Sequence, residues 1–326
     1  MKSSMRGMRQ ALFDPSTRSV RLAVLDGSDQ SADTYTRINC EGLGRVRTFR
    51  HQSMILNSGS GLVPKRRLFR TIAPCDEYAT QCFQLAGCNW GCWYCFVGDA
   101  LLRADRERSR LVPVSRMVDL FLNTPMSEPI LDLSGGQPEL VPEWALWSMQ
   151  ELDAQGLRGR VHVWVDDNLS GSYMERFCTR EEIEYMASFP LHSRAGCFKG
   201  LDDQSIRANT ASMGASLGLQ LRVAEQLISR GFDTYFYLTL LGPFEAGARK
   251  AATSFVRRLK EVHPLLPLRV VPLEIRNFRA VSERVGMARE DERLRQVEGL
   301  RAWEEALAEA YTAEQLRMPY ESIRLT

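Results

Sequence analysis

Three features that define common protein classes are missing from this sequence. No apolar run is long enough to cross a membrane, although 44% of the 326 residues are hydrophobic. The first 13 residues carry basic side chains but no apolar run of the length that a secretory signal needs. Charge of one sign is also missing, since 42 Lys and Arg against 40 Asp and Glu give a formal net charge of +2. We therefore expect a cytoplasmic globular protein without a membrane or nucleic-acid partner.

Histidine is scarce, and cysteine is spread unevenly. The chain has four histidines and eight cysteines, and the absence of cysteine after residue 200 argues against a C-terminal auxiliary cluster domain. Eight cysteines could form four disulfides, but a reducing compartment and the crowding of three of them favour ligation of a metal or a cluster. These three are Cys88, Cys92 and Cys95, in the arrangement C-x-x-x-C-x-x-C.

This cysteine triplet predicts a set of metal ligands. Thiolates at such short separation can wrap one compact inorganic cluster. A cube of four irons and four sulfurs needs four outside ligands, so three cysteines leave one iron free to bind a group that is not protein. We predict that Cys88, Cys92 and Cys95 hold a [4Fe-4S] cluster.

A structural zinc site is the alternative for the same cysteines, because short cysteine spacings are also usual there. A closed zinc site needs a fourth ligand, and no histidine lies in the triplet loop, so Cys75 or Cys82 would have to supply it. An iron-sulfur or zinc protein that binds a partner without catalysis stays open on this ground.

From residue 77 onward, short apolar runs alternate with helical patterns, which predicts an α/β fold. Helices are indicated over residues 143–155 and 180–188, for example. Strands that are each followed by a helix predict a parallel sheet, and right-handed crossovers would curl it into a partial (β/α)6 TIM-like barrel. The predicted strands are 82–86, 130–134, 161–166, 195–199, 234–241 and 268–275.

The predicted core has a segment on either side. Residues 1–72 are rich in Arg, Ser and Gly and predict a partly ordered N-terminal extension. The core itself is assigned to residues 73–284. Residues 285–326 predict a C-terminal helix, with Leu294 and Trp303 on its apolar side, that caps the sheet and is followed by a tail.

Two more loops occupy places equivalent to that of the cysteine triplet. Residues 134–138 follow the second predicted strand and contain two adjacent glycines, and residues 166–171 follow the third. Parallel α/β sheets place reactive groups at the carboxyl ends of their strands, and adjacent glycines let a backbone approach a ligand closely. We expect the three loops to converge on one ligand site.

The motifs of residues 78–280 resemble those of the radical S-adenosylmethionine superfamily. The cysteine spacing matches the signature of that family, and Tyr94 supplies its aromatic residue before the third cysteine. Gln137 stands where the family's G-G-E-P loop, which binds the amino group of the methionine moiety, has Glu; its amide oxygen can still accept a hydrogen bond from an ammonium. The residues that resemble this loop are Gly135, Gly136, Gln137 and Pro138.

Within the superfamily, the later strand ends are most similar to the glycyl-radical-enzyme activases. Residues 165–168 resemble their D-T-N-G loop, 197–200 their D-L-K strand end, and 268–274 their strand beside the adenine. Cys197 departs from an expected Asp, and Glu274 from an expected His. The cosubstrate contacts that this resemblance implies, from ribose and carboxylate to adenine, are Asp166, Asn168, Lys199, Leu273 and Glu274.

The resemblance implies an enzyme that uses S-adenosylmethionine and an electron donor such as flavodoxin or ferredoxin. Reduction at the cluster would cleave S-adenosylmethionine to methionine and a 5′-deoxyadenosyl radical, which abstracts a hydrogen atom from a small-molecule or peptide substrate. The alternative within the superfamily is an activase that installs a glycyl radical on a partner enzyme.

Several of these residues also have a structural interpretation. The two glycines could form a turn only, and Asp166 and Asn168 could bind their own backbone. Lys199 could extend to solvent. Cys197 could donate a hydrogen atom to a substrate radical, or it could fill the core as a small apolar side chain. Two arginines after the sixth predicted strand could bind an anionic substrate or form an exposed basic loop: Arg276 and Arg279.

Overall fold

A computed structural model describes the chain over residues 5–33, 36–50, 77–125, 129–273, 275, 278–284, 291, 295–318 and 322–325. Four residues named above, Cys75, Glu274, Arg276 and Leu294, lie outside these ranges. Within the ranges, no helix combines the length and the apolar character that a membrane span requires.

Strands and helices alternate along most of the described chain. The strands are β1 (Phe13–Asp14), β2 (Ser19–Ala23), β3 (Thr36–Asn39), β4 (Gly44–Arg50), β5 (Glu77–Gln84), β6 (Ser109–Pro113), β7 (Ile130–Ser134), β8 (His162–Asp167), β9 (His192–Phe198), β10 (Thr234–Thr239) and β11 (Val270–Leu273). The helices are α1 (Met5–Leu12), α2 (Val114–Leu122), α3 (Glu143–Ala154), α4 (Tyr173–Phe177), α5 (Arg180–Ala187), α6 (Asp203–Thr210), α7 (Leu217–Ser229), α8 (Ala248–Val262), α9 (Arg279–Arg284), α10 (Gln296–Ala310) and α11 (Ala313–Leu316).

The main sheet has the order β11-β10-β9-β8-β7-β5-β4-β3. The six strands from β5 to β11 run parallel, which confirms the six predicted strands and the α/β class. β4 and β3, from the predicted N-terminal extension, continue the sheet in antiparallel pairs. No pair joins β11 to β3 among the described residues, and the curling of the sheet into a partial barrel stays a prediction.

Most residues of the parallel strands β7 to β10 are buried because the sheet is covered on both faces. All residues of β7 and of β10 are buried. Alternate side chains divide into a helix face, where Leu131 and Phe236 pack with the helices, and an inner face, where Trp164 and Tyr235 pack together. The rings of these two inner-face residues lie 5.8 Å apart.

β5 begins and ends earlier than the predicted strand 82–86. Leu85 still donates to the Ser134 carbonyl of β7 at 3.2 Å and also bridges Leu22 of the smaller β1-β2-β6 sheet. The backbone then joins that sheet, where the Ala86 amide donates to the Arg21 carbonyl at 2.9 Å. The loop that follows therefore begins between two sheets.

The predicted last helix is α10, which lies along α8. The rings of Phe255 and Trp303 meet at 5.9 Å. A Cβ added to Gly299 would come within 2.8 Å of the Leu240 carbonyl oxygen, so the helix also packs tightly against the loop after β10.

Candidate functional site

Three loops at the carboxyl edge of the sheet are joined by hydrogen bonds. They are the cysteine loop (residues 85–96) after β5, the glycine loop (134–138) at the end of β7 and the third loop (166–171) at the end of β8. The backbone N–H of Gln137 donates to the Gly87 carbonyl at 2.7 Å, which links the first two loops. The Asn168 amide donates to Gln137 Oε1 at 2.8 Å, which links the second and the third. The predicted convergence of the loops is thereby confirmed.

The glycine loop needs glycine at both of its central positions. Gly135 and Gly136 have φ values of +64° and +59°. A Cβ on Gly136 would lie 2.4 Å from the carbonyl oxygens of Gly87 and Leu85, and one on Gly135 would lie 2.6 Å from the side chain of Gln84. The glycine loop can therefore rest directly on the backbone of the cysteine loop only because these two positions carry no side chain. Pro138 then begins a short 3-10 turn, Pro138–Leu140.

Gln137 uses both ends of its buried side chain within the protein. Its Nε2 donates to Asp167 Oδ1 at 2.7 Å, while its Oε1 accepts from Asn168. Burial and nearby Glu139 raise the pKa of Asp167 to about 7, although the Gln137 amide opposes that shift. Gln137 thus braces the glycine loop against the third loop, and its predicted contact with an ammonium would have to share the same oxygen.

The three predicted metal ligands lie in surroundings that disfavour free thiolates. Burial raises the pKa of Cys88 to about 11 and of Cys92 to about 12, and it also raises the pKa of Cys95. Such thiols ionise readily only when a cation is coordinated. Backbone amides of Trp90 and Val97 donate to Cys88 and Cys95. Hydrogen bonds to cysteine sulfur are a regular part of iron-sulfur sites, so the three residues fit such a cluster.

The zinc alternative concerns the same cysteines. No set of three or more His, Cys, Asp or Glu side chains within the described ranges is spaced to hold a single metal ion. A tetrahedral zinc brings its sulfur ligands within about 3.8 Å of one another, whereas a four-iron cube takes each sulfur on a separate iron. Cys82, one suggested fourth ligand, is buried on β5, and burial raises its pKa to about 12. Cys75, the other, lies outside the described residues.

The cysteine loop is anchored on its far side by α6 and β10. Trp93 Nε1 donates to Asn209 Oδ1 at 3.1 Å, and the hydroxyl of Tyr94 accepts from Thr239 at 3.0 Å. Asn209 also donates to the Lys199 carbonyl at 2.8 Å. These bonds hold the end of β9 next to the cysteine loop.

The same anchoring places Lys199 and Cys197 beside the cysteine loop. The Lys199 Nζ lies 6.0 Å from the centre of the Tyr94 ring. Burial alone would lower the pKa of Lys199, but Cys197, Tyr94 and Cys92 beside it raise that pKa well above its ordinary value. The structure therefore brings a half-buried cation and a strand-end thiol to the side of the cysteine loop that faces β10. Leu273 packs there against the cluster of Trp93, Tyr94, Leu241 and Ile275.

Asp166, a predicted cosubstrate ligand, belongs to a polar network on the inner face. Its carboxylate accepts from the Ser134 hydroxyl and from Trp164 Nε1 at 2.9 Å. Arg47 of β4 lies 3.4 Å from Asp166 and 3.2 Å from Asp132. We call Arg47, Asp132, Ser134 and Asp166 the inner-face network.

The acids of this network are partly neutralised by Arg47. Burial raises the pKa of Asp132 to about 6, although Arg47 opposes the shift. Burial would lower the pKa of Arg47, but Asp132 and Asp166 raise it well above its ordinary value. The Asp166 side chain is 27% exposed, so one side of this carboxylate stays accessible to solvent or to a ligand.

Sequence reasoning missed several residues that the structure brings to these loops. Asn168 Nδ2 donates to Cys88 Sγ at 3.8 Å and to Asn89 Oδ1 at 3.2 Å. Asn89 stands inside the cysteine motif and could have been noticed there, but Arg47 sits on an antiparallel strand of the extension and carries no motif. Arg279 is 59% exposed and lies 3.8 Å from Glu283, which favours its interpretation as an exposed basic residue.

A cavity of about 110 Å³ lies at the opposite, amino-terminal edge of the sheet, at the start of β10. Arg269 there donates to the Thr234 carbonyl at 2.7 Å and pairs with Asp233 at 2.6 Å. Ile323 and Leu325 of the tail line it. Because parallel sheets collect reactive groups at their carboxyl edge, we assign the candidate site to the three loops.

No family model matches the sequence, and no curated protein matches it either. Among solved structures, SuiB from Streptococcus suis, bound to precursor peptide SuiA, shares 12% identity at a TM-score of 0.38, over 56% of this chain and 35% of that chain. The protein anSMEcpe with bound AdoMet shares 12% identity at a TM-score of 0.40, over 69% of this chain and 60% of that chain. The chain thus spans about a third of the length of SuiB. Similarity at this level assigns neither a family nor a function to the chain.

Proposed function

We propose that the chain is a radical S-adenosylmethionine enzyme. Cys88, Cys92 and Cys95 would hold a [4Fe-4S] cluster, and S-adenosylmethionine would take the fourth iron. When bound, the cluster supplies the electron that cleaves a carbon-sulfur bond of S-adenosylmethionine, which yields a 5′-deoxyadenosyl radical for hydrogen abstraction from a small-molecule or peptide substrate. An electron donor such as flavodoxin or ferredoxin and a cytoplasmic location belong to the same proposal.

One observation carries the proposal: the three loops that the sequence marks separately form one hydrogen-bonded unit at the carboxyl edge. Gln137 is bonded to Gly87 of the cysteine loop and to Asn168 of the third loop, and Asn168 is bonded to Cys88. A ligand on the cysteine sulfurs would therefore touch all three loops.

The described residues suggest how the cosubstrate is held. Since the side chain of Gln137 is occupied, the backbone of Gly135 and Gly136 would meet the amino group of the methionine moiety. Lys199 would meet its carboxylate, because a half-buried ammonium gains most from an anionic partner. Asp166 would use its accessible side for the ribose, and Leu273 would lie near the adenine. Glu274, the alternative to Leu273, lies outside the described residues and stays a prediction from the resemblance. Cys197 remains a proposed hydrogen donor.

Anaerobic reconstitution with iron and sulfide tests the proposal. The wild type should bind about four irons per chain and, after reduction with dithionite, release 5′-deoxyadenosine from S-adenosylmethionine. Replacing Cys88, Cys92 or Cys95 by Ala should abolish both. Cys40→Ala is the matched control, because Cys40 lies in the turn between β3 and β4, where its Sγ is 3.7 Å from the Leu120 carbonyl. This variant should keep the full iron content.

The outcomes separate the alternatives. Iron uptake without release of 5′-deoxyadenosine above the level of the three Ala variants would contradict the proposed enzymatic function. It would favour a non-catalytic iron-sulfur protein. Zinc that resists exchange for iron would favour the zinc site. The activase alternative stays a prediction from the strand-end resemblance, and a glycyl radical signal on a partner protein would support it.

A further inference from the structure

The segment after β11 packs over the end of the cysteine loop. The rings of Phe278 and Phe96 lie 5.9 Å apart. Six residues further on, at the end of α9, Arg284 reaches the same stretch of the loop. This contact joins the last part of the core to the residues that follow the third cysteine.

Arg284 bonds the backbone at the end of the cysteine loop and just after it, and also the side chain of Asp99. Its guanidinium donates to the carbonyl of Cys95, to the carbonyl of Val97 at 2.6 Å and, through Nε, to Asp99 Oδ1 at 2.9 Å. The Arg284 side chain is only 18% exposed, whereas Asp99 is 57% exposed. Two carbonyl acceptors in addition to the carboxylate distinguish this contact from an ordinary surface ion pair.

The three cysteines differ in their polar neighbours, and Cys92 lies beside the ammonium of Lys199. Cys88 accepts from the neutral amide of Asn168, at 3.8 Å. Cys95 instead has its own carbonyl bonded to a guanidinium. A positive charge next to a redox group favours the more negative of the oxidation states of that group.

We propose that Arg284 is a positioning residue that fixes Cys95 and eases reduction of the cluster bound there, an inference that rests on the proposed function. Reduction adds one electron to the cluster, and charges and hydrogen bonds around the cysteine sulfurs set the potential of such sites. Arg284 supplies a charge, and Asp99 partly offsets it.

The test compares Arg284→Gln, Arg284→Lys and Asp99→Asn with the wild type after reconstitution, by the amplitude of the reduced-cluster EPR signal at stepped potentials. Arg284→Gln should reduce the ratio of reduced to oxidised cluster about tenfold at a fixed potential, equivalent to ~59 mV for one electron. Arg284→Lys keeps the charge and should fall between. Asp99→Asn removes a negative charge and should shift the potential the other way, by less.

The opposite signs are decisive, since mere loosening of the loop would not reverse sign between the two neutralising variants. Equal potentials in the wild type and Arg284→Gln, or shifts of the same sign in Arg284→Gln and Asp99→Asn, would overturn the proposal. If Arg284→Gln retains too little iron, Asp99→Asn decides alone: a more positive potential supports the charge effect, and an unchanged one refutes it.

Hydrogen exchange of residues 95–99 in the iron-free protein tests positioning without the cluster. Arg284→Gln should speed exchange there severalfold and leave residues 217–229 of α7 unchanged. Unchanged exchange at 95–99 refutes the positioning role. A wild type that binds no iron would defeat the proposed function, and this measurement would still decide the contact of Arg284 with the loop.

Discussion

Asp166 and Asp167 are adjacent at the end of β8, yet they belong to opposite faces of the sheet and meet different partners. Asp166 lies on the inner face and is paired with Arg47, a cation on β4. Asp167 points to the helix side, where neutral donors, the Gln137 amide and the Leu169 backbone at 2.7 Å, bond its carboxylate. The third loop is therefore held by two chemically independent networks.

The difference shows what each network can tolerate. Around Asp167, burial and nearby Glu139 favour the protonated carboxyl and outweigh the two neutral donors, which favour the carboxylate. Burial accordingly raises the pKa of Asp167 to about 7. The inner-face network depends on the balance between the charges of Arg47, Asp132 and Asp166. The helix-side network, formed by Asp167 and Gln137, depends on the side-chain amide of Gln137.

Removing the cation should break the inner-face network most severely. Arg47→Met leaves Asp132 and Asp166 without their shared partner, and we expect the free energy of unfolding to fall by about 3 kcal/mol, since an orphaned buried charge is costly. Urea unfolding measures this loss. Adding Asp132→Asn should restore part of it. Arg116→Met, which removes an exposed pair with Glu41, should change stability by under about 0.5 kcal/mol; an equal loss there would remove the distinction.

Changing the amide should break the helix-side network less severely. Gln137→Glu places a second carboxylate against Asp167 Oδ1, now 2.7 Å from Gln137 Nε2. We expect a loss of about 1–2 kcal/mol at pH 8, because a bonded donor becomes a repelling acceptor. The double variant Gln137→Glu/Asp167→Asn restores a donor and an acceptor and should regain part of that stability in urea unfolding, because the atom turned to residue 137 also accepts from the Leu169 backbone in the wild type. Additive losses in this cycle would show that the two side chains act independently.

The third effect is a pH dependence that belongs to Asp167. Because burial raises its pKa from 3.8 to about 7, the folded state binds its proton more tightly than the unfolded state, so this contribution to stability falls as pH rises between those values. The slope is at most about 1.4 kcal/mol per pH unit. Urea midpoints at pH 5, 6, 7 and 8 should decline less in Asp167→Asn than in the wild type.

Asp14→Asn is the control for this slope. Hydrogen bonds from Ser16 lower the pKa of Asp14, so its titration lies below the tested range. Its midpoints should follow those of the wild type from pH 5 to 8. A slope that stays unchanged in Asp167→Asn would assign the dependence to another group.

Much of the fold and part of the site could be predicted from sequence, for identifiable reasons. β7 and β10 are buried throughout and rich in apolar residues because both of their faces are covered, so their positions could be predicted closely. The start of β5 could not, because residues 77–81 include the polar Glu77, Thr80 and Gln81 and pair with the antiparallel strand β4. The meeting of the three loops follows from parallel topology alone.

The partners of the site residues were harder to predict. Arg47 is separated by 119 positions from Asp166, and a charged residue on an antiparallel strand usually faces solvent. Gln137 could be marked as unusual from its motif, but its partner Asp167 is visible only once the loops are in contact. Arg284 belongs to no motif, and its role depends on the path of the chain after β11.

The antiparallel addition of β4 and β3 changes the position of β5 in the sheet. Without them, β5 would be an outermost strand, with half of its backbone donors and acceptors open to another chain. With them, β5 has neighbours on both sides, and the unpaired edge of the described sheet moves to the four-residue strand β3. The strand that carries the cysteine loop is therefore protected from edge-to-edge aggregation, and fraying at that edge would begin two strands away from the thiols.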